Sequence, residues 1–350
     1  MTTTAAAPDL AEEFGSDPGL IARIQSILHK YPYLSPLTVL IVAMAIFTLL
    51  NERFILATNL SLMSQQAVIV GTLAIAQTLV ILTAGIDLSI GAIMVFGQMM
   101  MANLAVSASA SNVEFAWGWP WYLALAAGIL IAVLAGAVNG FLITQFRLPP
   151  FIVTLGTLSV FTALSLILFK ARTIQGPELP QGLKAMGEAT SLGPFRLMAG
   201  VGMMLGLYLI FAYVLRNTAW GTHVYAVGDD PEAAVLSGIN TRRVLFSVYA
   251  VAGLIIGIAG WITIGRVGSA SPNVAPNINL DTITAVVIGG TSLFGGRGTM
   301  IGTLLGALIV VVVENGLALA GLDQAYRVLA VGLLVIAAVA LDQWIRKVQA

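Results

Sequence analysis

Long apolar stretches, each ended by Gly, Pro or a charged residue, recur along most of the chain. They fall at Leu34–Leu50, Leu62–Thr83, Leu88–Val106, Trp121–Thr144 and Pro150–Phe169. Five more follow at Leu197–Leu215, Val244–Ile264, Thr282–Phe294, Thr299–Ala320 and Tyr326–Leu341. A bilayer core about 30 Å thick takes roughly 20 apolar residues as helix. Without water, every backbone polar group must be satisfied inside the segment, which favours helices. Strict polar–apolar alternation, the mark of a membrane barrel, does not occur. The pattern predicts an all-α, polytopic transmembrane helical bundle of about ten spans, one or two of them broken or short. Thr282–Phe294 is the short one and reads as a half-helix.

Composition points the same way. Hydrophobic residues make up 58% of the chain and charged ones 9%, against roughly 25% charged in a soluble domain. So few charges cannot wet the surface of a globule this long, and lipid must replace the missing water. Sixteen basic and sixteen acidic side chains balance, which leaves no electrostatic case for nucleic-acid binding. No Cys is present, so disulfides, thiolate zinc sites and cysteine-ligated clusters are excluded. Asp9, Glu12, Glu13 and Asp17 interrupt the first thirty residues, unlike a cleavable signal peptide. The expected organisation is a cytosolic tail over 1–30, with a short amphipathic surface helix at Ile21–Leu28. A transmembrane domain over 31–345 follows, with a cytosolic loop at 216–243 and a cytosolic end at 346–350.

Lys and Arg in short loops set orientation. Arg23, Lys30, Arg147, Arg216, Arg242, Arg243, Arg346 and Lys347 fall on one side of a ten-span chain. The loop Ser107–Trp119 on the other side carries Glu114 but no Lys or Arg. Lys170, Arg172, Lys184 and Arg196 run against this bias. The expectation is both termini in the cytosol, with Trp117, Trp119, Trp121 and Trp344 at interfacial depth.

Two segments break long apolar regions in opposite halves: Gly85-Ile86-Asp87-Leu88-Ser89-Ile90-Gly91 and Gly295-Gly296-Arg297-Gly298-Thr299-Met300-Ile301-Gly302. Gly85, Ile90 and Gly91 align with Gly296, Ile301 and Gly302, which suggests an internal repeat; such broken segments can mark a transport path. Asp87 is an ionisable group inside the membrane and so a functional candidate. It could equally cap the helix that begins at Leu88. Ser89 belongs to the same break. Glu314 and Asn315 are either a pore-wetting pair or a helix-packing pair. Gln65, Gln66, Gln77, Asn139, Thr154 and Thr157 are neutral polar groups on apolar spans. They suit a water-filled path for an uncharged polyhydroxy solute, and they suit helix linking as well.

The loop Arg216–Arg243 contains Gly228-Asp229-Asp230-Pro231-Glu232-Ala233-Ala234-Val235-Leu236-Ser237-Gly238. Asp230 suits the N-cap and Pro231 the first helical position. Glu232 complements the helix dipole, and Gly238 can end the helix in the left-handed region. The local chemistry predicts a short capped helix projecting into the cytosol.

Glu232-Ala233-Ala234, then three residues, then Gly238 resembles the coupling element of ABC importer permeases. A Leu-Pro ending found in many such loops is absent here. Four collinear stretches between about Leu60 and Trp344 resemble the ribose/xylose/fructose-type monosaccharide permeases. These are Ala84–Gly91, Leu148–Gly156, Gly228–Asn240 and Ala285–Thr299. The resemblance implies a permease subunit of a bacterial inner-membrane importer for ribose, fructose or a similar sugar. It implies an ATPase-coupling helix at Asp230, Pro231, Glu232, Ala233, Ala234 and Gly238. It implies a cytosolic ABC ATPase, a periplasmic sugar-binding protein, a second permease copy and membrane lipid as partners. Translocation or gating candidates are Asp87, Ser89, Gln65, Gln77, Asn139, Thr154, Glu314 and Asn315.

No phosphate loop ending in Lys follows any glycine-rich segment. His29 and His223, the only histidines, lie outside the spans. No catalytic, cofactor-binding or metal-binding set emerges, so ATP and Mg belong to the partner ATPase. Rival readings are an ion-coupled secondary transporter built on Asp87 and Glu314, a branched-chain amino-acid permease, and a membrane-embedded hydrolase or transferase. The last lacks any convergent nucleophile, base or metal set, and a shortage of intramembrane Arg or Lys to meet a substrate carboxylate argues mildly against the amino-acid reading.

Overall fold

A computed structural model describes residues 33–107, 116–274 and 276–347. The expected tail at 1–30, the surface helix at Ile21–Leu28 and Glu114 lie outside the described residues. Thirteen helices and one two-stranded hairpin are described. The helices are α1 (Leu34–Leu50), α2 (Ala57–Leu82), α3 (Ile90–Ala105), α4 (Trp121–Phe146), α5 (Pro150–Leu168) and the single turn α6 (Gln181–Lys184). After the hairpin β1 (Ala189–Leu192) and β2 (Phe195–Met198) come α7 (Ala199–Asn217), α8 (Ala219–Asp229) and α9 (Pro231–Leu236). The chain closes with α10 (Thr241–Val267), α11 (Ile278–Ile288), α12 (Met300–Leu319) and α13 (Gln324–Lys347).

Every one of the ten apolar stretches becomes a helix. Six, α2, α4, α5, α7, α10 and α12, are long and apolar enough to cross a membrane. α1, α3 and α11 are shorter apolar helices, as is the first part of α13. With 11 residues, α11 rises about 16 Å and reaches only partway across, as the half-helix reading expects. Some boundaries differ from the sequence reading. α2 starts at Ala57 rather than Leu62 because Asn51 and a 3-10 turn at Glu52–Ile55 lead straight into it. α13 runs on to Lys347, past the expected cytosolic end at 346.

α2 is the central post, with most of its side chains buried, whereas α4 and α5 present apolar residues such as Leu130, Leu134, Phe151 and Ile152 outward. α4 and α10 run antiparallel at close range. A Cβ on Gly136 would strike the carbonyl of Tyr249, and one on Gly253 the carbonyl of Ala132. Small residues let membrane helices approach until their backbones touch. Gly253→Leu is therefore expected to lower the melting temperature of the detergent-purified protein by several degrees. An unchanged melting curve would show that this interface yields freely.

Loops sort onto two faces. On the upper one, Asn51 Nδ2 donates to Leu319 O at 3.1 Å and Ser61 Oγ donates to Arg196 O at 2.7 Å. There too, an antiparallel bridge joins Ile174 to Ala270. The opposite, lower face carries the ends of α2 and α4, the start of α12, and all of α8 and α9. Arg216, Arg242 and Arg243 are on the lower face; Lys170, Arg172, Lys184 and Arg196 are on the upper. The hairpin at 189–198 went unforeseen, since four-residue strands around Gly193 carry almost no pattern of their own.

Candidate functional site

The lower face is organised around α8 and α9. Asp230 Oδ1 accepts from Glu232 N at 2.9 Å and Ala233 N at 3.0 Å, a cap worth about 1 kcal/mol. Gly238 ends the turn with φ +83°. Ala234 is buried and holds α9 to the bundle, while Leu236 is 89% exposed at the tip. α8 was not foreseen; its signal is Thr218, whose Oγ1 accepts from Gly221 N as an N-cap. Trp220 Nε1 donates to Ser247 Oγ at 2.8 Å and ties α8 to α10.

The last turn of α8 sits where the second broken segment meets the end of α2. Gly296 N donates to Leu82 O at 3.0 Å, so the second break is bonded to the end of α2 beside the first. Gly228 lies against the end of α2 and the second break: a Cβ there would run into the Leu82 carbonyl and come within 2.8 Å of Gly296 N. Tyr225 donates through its hydroxyl to Gly298 O at 2.8 Å, and burial pushes its phenol pKa up, which keeps the proton on. Gly295 and Gly296 turn with φ +84° and +71°. The second break is thus in contact with the end of α2, just before the first break, and with the helix that leads into α9. The two breaks are not equal in form, because α2 has 26 residues and α11 has 11.

Above this junction the first break runs as non-helical chain at membrane depth. Such backbone is tolerated only inside protein, and Asp87 and Ser89 are both buried. Asp87 Oδ1 accepts from Ser89 N at 2.7 Å and Ser89 Oγ at 2.6 Å. Asn139 Nδ2 on α4 donates to Ser89 Oγ at 2.8 Å, and Thr154 Oγ1 on α5 donates to Ile86 O at 3.0 Å. Asp87, Ser89, Asn139 and Thr154 therefore form one cluster. Tyr249 on α10 joins it, its hydroxyl packed against Gly85; an aromatic in an apolar stretch gave no hint of this. Asp87 Oδ2, Asn139 Oδ1 and Tyr249 OH have no hydrogen-bond partner among the described residues. The capping expectation needs correcting: the helix starts at Ile90, not Leu88, and Asp87 closes the turn just before it.

Other candidates sit elsewhere. Gln65 Nε2 donates to Ser61 Oγ at 3.3 Å. Gln77 is buried in α2 with neither amide atom partnered among the described residues. Asn315 Oδ1 accepts from Asn59 at 2.9 Å, a link between α12 and α2. Glu314 faces a separate cavity of about 610 Å³ near the upper face, also lined by Gln66, Arg266 and Asp281. Asp281 escaped notice because the apolar stretch at 282–294 begins one residue later. Thr157 Oγ1 donates within its own helix, to Thr154 O at 3.3 Å.

A family model described as branched-chain amino acid transport system / permease component matches residues 59–339. The fructose import permease protein of Rhizobium meliloti is 44% identical over 346 residues, covering 98% of this chain and 94% of the relative. The ribose import permease protein of Bacillus subtilis (strain 168) is 37% identical over 311 residues, covering 89% and 92%. The galactose/methyl galactoside import permease protein of Escherichia coli (strain K12) is 32% identical over 329 residues, covering 91% and 97%. No solved structure matches the chain.

Proposed function

From its membership of the branched-chain amino acid transport system / permease component family, to which the chain belongs, we propose that this multi-pass membrane protein is the permease subunit of an ATP-driven monosaccharide importer. It works in the bacterial inner membrane with both termini in the cytosol. Its partners are a cytosolic ABC ATPase, a periplasmic sugar-binding protein and a second copy of itself within the lipid bilayer. ATP and Mg act on the ATPase, and this chain hydrolyses nothing. The sugars named for its relatives favour a monosaccharide over a branched-chain amino acid, with fructose or ribose as first candidates.

The observation that carries the coupling role is the contact of Gly228 with the end of α2, just before the first broken segment, and with the second broken segment, one turn before the capped helix α9. ATP binding closes the ATPase pair and displaces α9. Because Gly228 touches the Leu82 carbonyl and Gly296, that displacement reaches the breaks without crossing a soft linker. Interface rotation of this kind is an established way to switch a packed assembly. Asp87, Ser89, Asn139 and Thr154 hold the non-helical turn that must rearrange, and serve as its gate. An ion-coupled carrier is disfavoured by the separation of Asp87 from Glu314, which lie in different sites.

Proteoliposomes test this reading. Sugar uptake is expected to need the ATPase, internal ATP and the binding protein, and to survive collapse of ion gradients. Uptake that continues without the ATPase and stops with the gradient would overturn it. Asp87→Asn is expected to insert normally and transport more slowly, since its amide oxygen still accepts from Ser89. Asp87→Ala leaves Ser89 N without a partner and is expected to cut uptake by about an order of magnitude. Equal rates for both variants and wild type would remove Asp87 from the gate.

A further inference from the structure

We infer that the cavity lined by α2, α10, α11, α12 and α13 is the station that holds the solute inside the membrane, with Asp281 and Glu314 accepting hydrogen bonds from its hydroxyls. This inference rests on the sugar-importer reading above. The cavity is about 610 Å³, with Gln66, Arg266, Asn277, Asp281, Glu314 and Gln324 as its polar walls. That is the size of a small-molecule site, roughly 300–1,000 Å³.

Position and chemistry both favour a neutral polyol. Arg266 lies in the last turn of α10, Asn277 just before α11, and Gln324 at the start of α13. The cavity therefore sits in the upper half of the bundle, on the side a solute enters from outside. Ionisable groups within membrane helices are costly, and they persist where they face a cavity on a substrate path. Two carboxylates accept, one guanidinium donates, and three amides do both. A hydroxyl also does both, so a ring bearing several can satisfy walls of mixed polarity. Arg266 in the wall offsets one carboxylate and the charge of Arg327, which reaches Glu314, offsets the other, so no net ionic ligand is demanded.

The site is joined to the coupling face by α11 itself. At one end Asn279 Oδ1 accepts from Gly91 N at 2.8 Å, bonding the cavity-lining turn to the start of α3. At the other end α11 leads through Gly289 into the Gly295–Gly296 turn against α8. The 11-residue α11 thus runs from the proposed solute station, and the non-helical stretch 289–294 carries the chain on to the turn against α8. Displacing α9 would reach the cavity through that stretch.

The test uses the complete complex in proteoliposomes, measuring labelled fructose or ribose delivered per ATP hydrolysed. The double variant Asp281→Asn/Glu314→Gln keeps the volume of both side chains and is expected to lower that ratio about tenfold. Val328→Trp on the half-open wall adds bulk without touching a carboxylate, and is expected to block delivery even if the double variant fails to assemble. A photoreactive sugar analogue should label α11 or α12 in wild type and lose that labelling in either variant. Delivery at the wild-type ratio in Val328→Trp and in an assembled double variant would overturn the cavity inference, as would a lipid chain found filling the cavity of a transporting complex. Wild type that carries no sugar, or carries a branched-chain amino acid in its place, would instead overturn the importer reading beneath it.

Discussion

Gly228→Ala is expected to reduce ATP-dependent sugar uptake to near background, although the change adds one methyl group. That methyl would occupy the space of the Leu82 carbonyl oxygen and crowd Gly296 N. Both neighbours are backbone, so no side chain can rotate aside. Relief requires α8 to move away from the end of α2 and the Gly295–Gly296 turn, breaking the Tyr225 to Gly298 bond on the way. Overpacking of this kind costs about 1–3 kcal/mol, too little to unfold a bundle of this size but enough to separate the coupling helix from the breaks. The expected signature is a protein that still inserts and still binds its ATPase, yet hydrolyses ATP without moving sugar. Uptake and ATP hydrolysis measured on the same proteoliposomes separate these outcomes. Wild-type uptake in Gly228→Ala would mean that the junction does not transmit the stroke.

Leu236→Asp is expected to lose both ATPase association and uptake while leaving membrane insertion intact. Leu236 is 89% exposed and Val235 56% exposed at the end of α9. On a helix anchored by buried Ala234, this apolar tip is what a docked partner would cover. A carboxylate there would have to be buried without a counter-charge, a penalty of several kcal/mol. Glu232→Lys reverses the charge at the dipole's positive end, and Gly238→Pro removes the left-handed turn at φ +83°; both should also abolish uptake. Co-purification of the ATPase with each variant is the readout. Normal co-purification and transport in Leu236→Asp would place the ATPase contact elsewhere.

Much of the architecture was legible from the chain alone. Every apolar stretch corresponds to a helix, since in lipid a long apolar segment has no other way to satisfy its backbone. α9 was legible too, because Asp230, Pro231 and Gly238 cap and end it through contacts within a few residues. α8 was missed because its apolar positions, such as Val224 and Val227, are buried against neighbours far away in sequence. Of the polar candidates, Asp87, Ser89, Asn139 and Thr154 proved to be neighbours, whereas Gln65, Asn315 and Glu314 did not join them. Composition marks a polar side chain in an apolar span; it does not say which others it faces.

The amino-acid sequence by itself determined the ten apolar helices, the two breaks and the capped turn of α9. These rest on short-range physics: apolar length against bilayer thickness, glycine where the chain must turn, and side chains that cap their own helix. Only the tertiary structure decided that the second break meets the end of α2 at Gly228, that Tyr249 closes on the Asp87 turn, and that Asp281 and Glu314 share a cavity. Those juxtapositions depend on pairings such as Gly91 with Asn279, 188 residues apart. Helix packing chooses such pairs through the fit of whole surfaces, and no local pattern of residues encodes it.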